Sequence, residues 1–320
     1  MKIVFLIIIF FSTNIFAKDL VEIYRLKGLN EVEKILNSQL TDEKYWDEYF
    51  KNKDITLGYY ETKKYIIYTQ KKHKKIFLYE NNNHNFTKLF SNEVITGEFD
   101  GDKKVEGDKK TPIGVYDIVH KKENLDQFYG PLALVTSYPN TFDKSKNKNG
   151  YGIWIHGMPL NGNREKYTEG CIALDNENLL KLDSYLNHDK TLIITADENI
   201  PKTSKSDLSK IMATIYSWQY AWKVSNFEEY INFYSEDFRK KDQSGFKEFY
   251  NYKKRVFDKD EIKDIKLYNF DISPYPNEEN KIFYRIIMDE IYKSPTVDFK
   301  GKKELIVTLE NNQVKILLED

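Results

Sequence analysis

Gly152-Ile153-Trp154-Ile155-His156-Gly157, followed closely by Thr168-Glu169-Gly170-Cys171-Ile172-Ala173-Leu174, is the stretch on which the reading of this chain turns. The first segment is a β-branched and aromatic run that would deliver His156 at the end of a strand. The second is a glycine-bearing turn that would deliver Cys171, the single cysteine of the chain. A thiolate is a strong nucleophile, and an imidazole beside it can take its proton or lower its pKa. Histidine, with an ordinary pKa near ~6.5, suits that task at neutral pH. Gly170 would let the backbone pass close to a substrate. N–H groups around Gly170 and Cys171 would hold an oxyanion, and the Gly157 carbonyl would fix the imidazole tautomer. The residues alone leave a second reading open, a buried structural cysteine and a surface histidine, because free cysteine is among the most buried residue types. His73, His84, His120 and His188 lack a comparable setting, although His120 follows an expected strand and could line the same cleft.

Working outward, residues 62–200 read as short strands. Tyr65–Tyr68, Lys75–Tyr79, Ile113–Val119, Leu132–Thr136, Gly152–His156 and Thr191–Thr195 are apolar or β-branched runs, with Asn81–Asn85 as a loop. One helix is expected over Asn176–Leu186, with Leu179, Leu180, Leu182 and Leu186 as its apolar stripe. Many strands with few helices predict a β-sandwich or barrel. Residues 18–58 read as three helices, the last capped by Thr41 and carrying Tyr45, Trp46, Tyr49 and Phe50. They are too few for a core of their own, so they must rest on the next domain or on a second subunit. Pro201–Ser206 is a polar connector. Beyond it, helices at 207–223, around Phe227–Tyr234 and over Gly245–Phe257 precede strands at 264–272, 281–291 and 303–318, an α+β arrangement. Asn311-Asn312 marks a hairpin turn.

A length of 320 residues suits about two domains, and 40% hydrophobic content is enough to build their cores. Lys plus Arg number 49 against 50 Asp plus Glu, so no global field draws nucleic acid. One cysteine excludes an internal disulfide framework and a multi-cysteine zinc site. No His/Asp/Glu cluster has ligand spacing, so no metal or cofactor is implied. Met1–Ala17 reads as a secretory signal: Lys2 supplies charge, Ile3–Phe11 an apolar run, and Ala17 a small residue before the cut. The run is too short to span a bilayer stably, and no later stretch is apolar enough to do so. In an oxidising compartment, an unpaired Cys171 is either buried and inert or used.

The two quoted segments resemble the signature of L,D-transpeptidase catalytic domains of the YkuD type. The resemblance extends to Thr96-Gly97-Glu98, to Gly107-Asp108-Lys109-Lys110-Thr111-Pro112-Ile113-Gly114-Val115-Tyr116 and to Tyr138-Pro139-Asn140. It covers roughly residues 62–196 and sets the inert-cysteine reading aside. It implies a β-sandwich with a helix beside the active site, Cys171 as nucleophile, His156 as base and the Gly157 carbonyl completing the triad. Trp154, Thr168, Glu169, Gly170, Ile172 and Ala173 would form the substrate pocket. The substrate implied is a peptidoglycan stem peptide, cleaved between the L-centre of a diamino acid and D-alanine. Crosslinking members commonly carry Arg two places after the cysteine, where this chain has Ala173, and Glu169 stands where His or Arg is frequent. The pattern looks more like hydrolytic relatives. Trp218-Gln219-Tyr220-Ala221-Trp222, with Phe227, Tyr230, Tyr234 and Phe238, resembles the opening of an NTF2-like domain over about 205–320. The aromatics themselves read as core. The three parts in this order resemble the murein L,D-carboxypeptidases that set helical cell shape.

The expectation is therefore a multidomain chain, β-rich plus α+β: signal 1–17, helical N-terminal region 18–60, YkuD-type β-sandwich 61–200 and NTF2-like domain 201–320. Its expected activity is that of a periplasmic L,D-carboxypeptidase, trimming tetrapeptide stems to tripeptides through a Cys thioester. The alternatives are an L,D-transpeptidase, passing the same acyl group to an amine, and a non-catalytic wall-binding scaffold. The N-terminal helices expose an apolar stripe that a homodimer would cover.

Overall fold

The computed structural model describes residues 17–240 and 242–320, so the secretory signal reading lies outside the described residues except for Ala17. Among the described residues no helix is long and apolar enough to cross a membrane. Three helices open the chain: α1 (Ala17–Lys27), α2 (Leu29–Leu40) and α3 (Glu43–Phe50). Thr41 closes α2, and it is Asp42 that caps α3, accepting from Lys44 N at 3.0 Å. A carboxylate is the better cap here because it also meets the positive end of the helix.

The central domain carries β2 to β9, after a short β1 (Tyr59–Tyr60). These strands are β2 (Tyr65–Gln70), β3 (Lys75–Asn82), β4 (Asn85–Glu93), β5 (Gly114–Glu123), β6 (Leu132–Thr136), β7 (Trp154–His156), β8 (Ile172–Ala173) and β9 (Thr191–Ala196). Helix α4 (Thr141–Ser145) follows β6, and α5 (Asn176–Tyr185) follows β8. The strand order is β4-β3-β2-β9-β5-β6-β7-β8. β5 belongs to both halves of this sheet, and a bulge between Ile118 and His120 lets it turn from one to the other. The halves close on one core, with Ile67, Ile76 and Leu78 from one and Leu134, Ile155 and Ile172 from the other. That is the sandwich expected. Two details differ. Asn81–Asn85 is no loop: Asn82 pairs with Asn85 across the two-residue turn Asn83-His84, both at positive φ, and β4 follows. The polar sequence of β4, mostly solvent-facing, hides it. His120 lies inside β5, exposed, rather than after it.

The C-terminal part holds α6 (Lys205–Lys223), α7 (Phe227–Asn232) and α8 (Phe246–Phe257). The strands β10 (Asp264–Tyr275), β11 (Phe283–Lys293), β12 (Asp298–Glu310) and β13 (Gln313–Glu319) follow. The sheet runs β1-β10-β11-β12-β13, antiparallel throughout, and Asn311 and Asn312 sit at positive φ in the β12–β13 turn. Trp218, Tyr230 and Phe238 are core residues. Trp46 and Phe50 of α3 join that same core, so the N-terminal region is built onto the C-terminal part, with Trp46 stacked on Tyr216 at 5.6 Å. Each such buried aromatic contributes about 2–3 kcal/mol.

A mixed seam joins the sandwich to the C-terminal sheet. Phe142 of α4 meets Tyr275 and Phe283 edge-on, and Asn140 donates to Tyr275 Oη at 2.9 Å. Arg285 of β11, fully enclosed, reaches Asp117 of β5 at 2.8 Å and Glu304 of β12 at 2.9 Å. Glu278 accepts from Asp102 N at 2.7 Å, which anchors the loop that runs on to Lys110.

Candidate active site

β7 and β8 pair in parallel, with Ile155 opposite Ile172 and His156 opposite Ala173. Side chains alternate along a strand, so Ile155 and Ile172 point into the core while His156 and Trp154 take the other face. Cys171, the residue before β8, falls on that second face, two residues before the position opposite His156. That diagonal corresponds to roughly 7–8 Å between backbones, within reach of two side chains.

A tight turn presents the thiol. Thr168 Oγ1 donates to the Cys171 carbonyl at 2.6 Å and accepts from Gly170 N at 3.1 Å. The Gly170 N–H is thus spent inside the turn, which corrects the expectation that it serves an oxyanion. Gly170 has φ +126°, and a Cβ there would come 2.7 Å from the Lys110 carbonyl oxygen. Only glycine suits that backbone and that approach. The turn is anchored by Thr168 N donating to Thr96 O at 2.9 Å and by the reciprocal Ile95–Ala173 bridge. Gly97 N donates to Thr111 Oγ1 at 2.8 Å. The Thr96-Gly97 and Gly107–Tyr116 motifs therefore act as scaffold for the cysteine turn.

His156 is 1% exposed. Its Nδ1 lies 2.7 Å from the Gly157 carbonyl oxygen. A carbonyl only accepts, so this bond assigns the proton to Nδ1 and leaves Nε2 with its lone pair. The Tyr129 ring packs edge-on against the imidazole at 5.2 Å. Burial lowers the His156 pKa to about 4, with the charge of Arg164 acting the same way and the Gly157 bond opposing. The imidazole is neutral at neutral pH. Gly157 itself is clamped: its N–H donates to Tyr129 O at 2.9 Å, and a Cβ would collide with Asn176 Oδ1 of α5.

Cys171 is a free, half-buried thiol whose Sγ donates to the Gly152 carbonyl at 3.3 Å. Burial pushes its pKa up, outweighing the Trp154 backbone bond and the charges of Arg164 and Lys103. The resting pair is a neutral thiol and a neutral imidazole, which calls for base catalysis at the moment of attack rather than a standing thiolate.

Of the other expected site residues, Trp154 is half-buried against Tyr129 at 5.0 Å, and Glu169 is exposed. Ile172 and Ala173 are closed off in β8, and the Ala173 backbone is taken up on both sides by Ile95, so their part is to hold the strand in place. Tyr129, Asn176 and Arg164 escaped sequence reasoning. Arg164 Cζ lies 5.0 Å from the Phe128 ring, in the loop between β7 and β8. Nothing in their spacing flags them: Tyr129 and Arg164 lie in connecting segments that carry no pattern, and Asn176 stands at the start of α5, outside its apolar stripe. Among the described residues no group of His, Cys, Asp or Glu could hold a metal ion.

Comparison with known proteins agrees with this geometry. Residues 63–194 match the L,D-transpeptidase catalytic domain family, and residues 210–320 match the Cds6 C-terminal NTF2-like domain. The crystal structure of the helical cell shape determining protein Pgp2 from Campylobacter jejuni is 38% identical, with a TM-score of 0.83 over 88% of this chain and 99% of that one. A point mutant of that same Pgp2 gives 37% and 0.84 over the same shares. Bd1075 of Bdellovibrio bacteriovorus is 26% identical, with a TM-score of 0.65 over 83% of this chain and 96% of that one. Comparison with curated proteins gives no match.

Proposed function

The chain belongs to the family of Pgp2, in which an L,D-transpeptidase catalytic domain precedes an NTF2-like domain, and on that premise we propose that it is an exported L,D-carboxypeptidase of peptidoglycan. Its substrate is the tetrapeptide stem, its product the tripeptide, and its place is the periplasm, where trimming stems contributes to cell shape. The observation that carries this reading is the His156–Gly157 bond, which leaves Nε2 as the acceptor on the face shared with Cys171.

Cys171 Sγ loses its proton to His156 Nε2 and attacks the carbonyl carbon of the diamino acid. The oxyanion is received by the N–H of Cys171, since that of Gly170 is engaged. The C–N bond breaks, D-alanine leaves with the proton from His156, and a thioester remains. Water then gives a proton to neutral Nε2 and its oxygen to the acyl carbon, and the thiol is restored. Trp154, Thr168, Glu169, Gly170, Ile172 and Ala173 are the proposed pocket. Thr168 and Gly170 contribute by shaping the turn, and Ile172 and Ala173 by fixing the strand that follows the cysteine.

We assign 18–60 to the helical N-terminal region, 61–200 to catalysis and 201–320 to the NTF2-like domain. A homodimer would cover Val21, Tyr24, Leu26 and Leu29, which stand exposed at the start of the chain. Digestion of purified tetrapeptide muropeptides tests the activity. Tripeptide with free D-alanine is the expected result. Crosslinked or exchanged peptide makes the protein a transpeptidase instead, and wall binding without any product makes it a scaffold.

A further inference from the structure

Among the described residues, buried cations are mostly paired with carboxylates, whereas the half-buried Arg164, in the loop before the thiol, is not. Arg285 holds Asp117 and Glu304, Lys148 holds Asp143, Lys303 holds Glu290 and Glu319, and Lys103 holds Asp108. Arg164 has no carboxylate within ion-pairing reach among the described residues. Its Nε and Nη1 are shielded from solvent with no acceptor, and Nη2 donates only to Tyr167 O at 3.3 Å. Guanidinium donors kept out of water without a partner are costly, and such a group calls for a reason.

Its position supplies one. The guanidinium lies over Phe128, whose neighbour Tyr129 packs on both His156 and Trp154. The charge is therefore two aromatic rings, Phe128 and Tyr129, from the imidazole, and it acts on His156, Cys171 and Tyr129 alike. Three other cations around the cleft are occupied: Lys109 by Glu98, Lys103 by Asp108, and Lys122 by the Trp154 ring at 4.7 Å. In a substrate cut at its last peptide bond, the terminal carboxylate follows the attacked carbonyl by one residue, roughly 3.5 Å along the chain. An arginine fork matches a carboxylate in shape as well as charge.

We propose that Arg164 receives the C-terminal carboxylate of the leaving amino acid and so makes this site select chain ends over internal bonds. The inference rests on the carboxypeptidase reading above and adds to it the residue that sets specificity. Few contacts hold the loop that carries Arg164 against Phe128. Asn161, Gly162 and Asn163 are exposed, nothing crowds Gly162, and on the Phe128 side the loop is tied mainly to Gln127 by Leu160 N and Asn161 Nδ2, each at 3.0 Å.

The test compares two probes, a tetrapeptide ending in D-alanine and the same peptide ending in D-alanine amide. The wild-type protein is expected to favour the acid in kcat/KM by about ten- to a hundredfold. Arg164→Met should lose that preference by slowing the acid and sparing the amide, Arg164→Lys should keep part of it, and Lys122→Met should leave it intact. A merely structural role would slow both probes equally. A preference unchanged in Arg164→Met, or abolished in Lys122→Met, overturns the assignment while leaving the carboxypeptidase reading in place. Calorimetry of both probes with Cys171→Ala separates the two ideas if neither probe is cut. Acid-selective binding that vanishes in Cys171→Ala/Arg164→Met keeps the inference and sinks the activity, and binding without that selectivity overturns the inference.

Discussion

The acid limb of the pH–rate profile is the sharpest consequence of how His156 is housed. A base must be unprotonated to accept the thiol proton, so activity falls as pH drops through the His156 pKa. Burial has brought that value down to about 4. At pH 5 about nine-tenths of such an imidazole is still neutral, against about three per cent of a histidine at its ordinary ~6.5. The site should therefore be about thirtyfold more active at pH 5 than a solvent-exposed pair would be. The assay is kcat/KM for D-alanine release between pH 4 and 9, with a plateau expected from about pH 5 to 8. Tyr129→Ser supplies the internal control. It removes the ring packed edge-on at 5.2 Å and admits water to the imidazole, so the limb should move up towards ~6.5. A wild-type limb at pH 6–7, or a limb that Tyr129→Ser leaves in place, would refute the argument that burial keeps this base neutral.

Other consequences can be measured without substrate or with a single digest. Gly170→Ala must strain the turn, because its Cβ would sit 2.7 Å from Lys110 O at φ +126°; a loss of about 1–3 kcal/mol in urea unfolding and slower D-alanine release are expected, and unchanged values would contradict the turn geometry. Arg285→Met leaves Asp117 and Glu304 without their shared partner and should cost about 3–5 kcal/mol, with a loss under about 1 kcal/mol contradicting the seam. Burial works to raise Asp117, yet Arg285 and Lys63 hold it at about 2, so its contribution is present above the ordinary ~3.9 and is lost as pH falls towards 2. Acid unfolding should accordingly begin at higher pH in Arg285→Met. Light scattering with and without residues 18–29 checks the dimer: the longer chain should be a dimer and the shortened one a monomer, and monomers in both cases end the idea. The cut stops before α3, because Trp46 and Phe50 belong to the core.

Most of the strand series and the cysteine–histidine pair were legible because each rests on local chemistry. β-Branched runs mark β2, β6 and β9, and a glycine next to a nucleophile marks a tight turn. What escaped depends on residues far apart in the chain. β4 is polar because it faces water, and its pairing with β3 is set by two positive-φ turn residues that composition does not reveal. β1 is two residues long and exists only because β10, more than two hundred residues on, pairs with it. The oxyanion assignment to Gly170 failed for a similar reason, since a threonine hydroxyl already holds that N–H. Tyr129 and Arg164 come to the site on loops, where no periodicity points inward.

The measurement that reaches the centre of this account is D-alanine release from tetrapeptide muropeptides by the wild-type protein, Cys171→Ala and His156→Ala under identical conditions. The account predicts stoichiometric tripeptide and D-alanine from the wild type, no turnover by Cys171→Ala, and a loss of at least about a thousandfold in His156→Ala. Hydrolysis by Cys171→Ala at a rate close to wild type would contradict it.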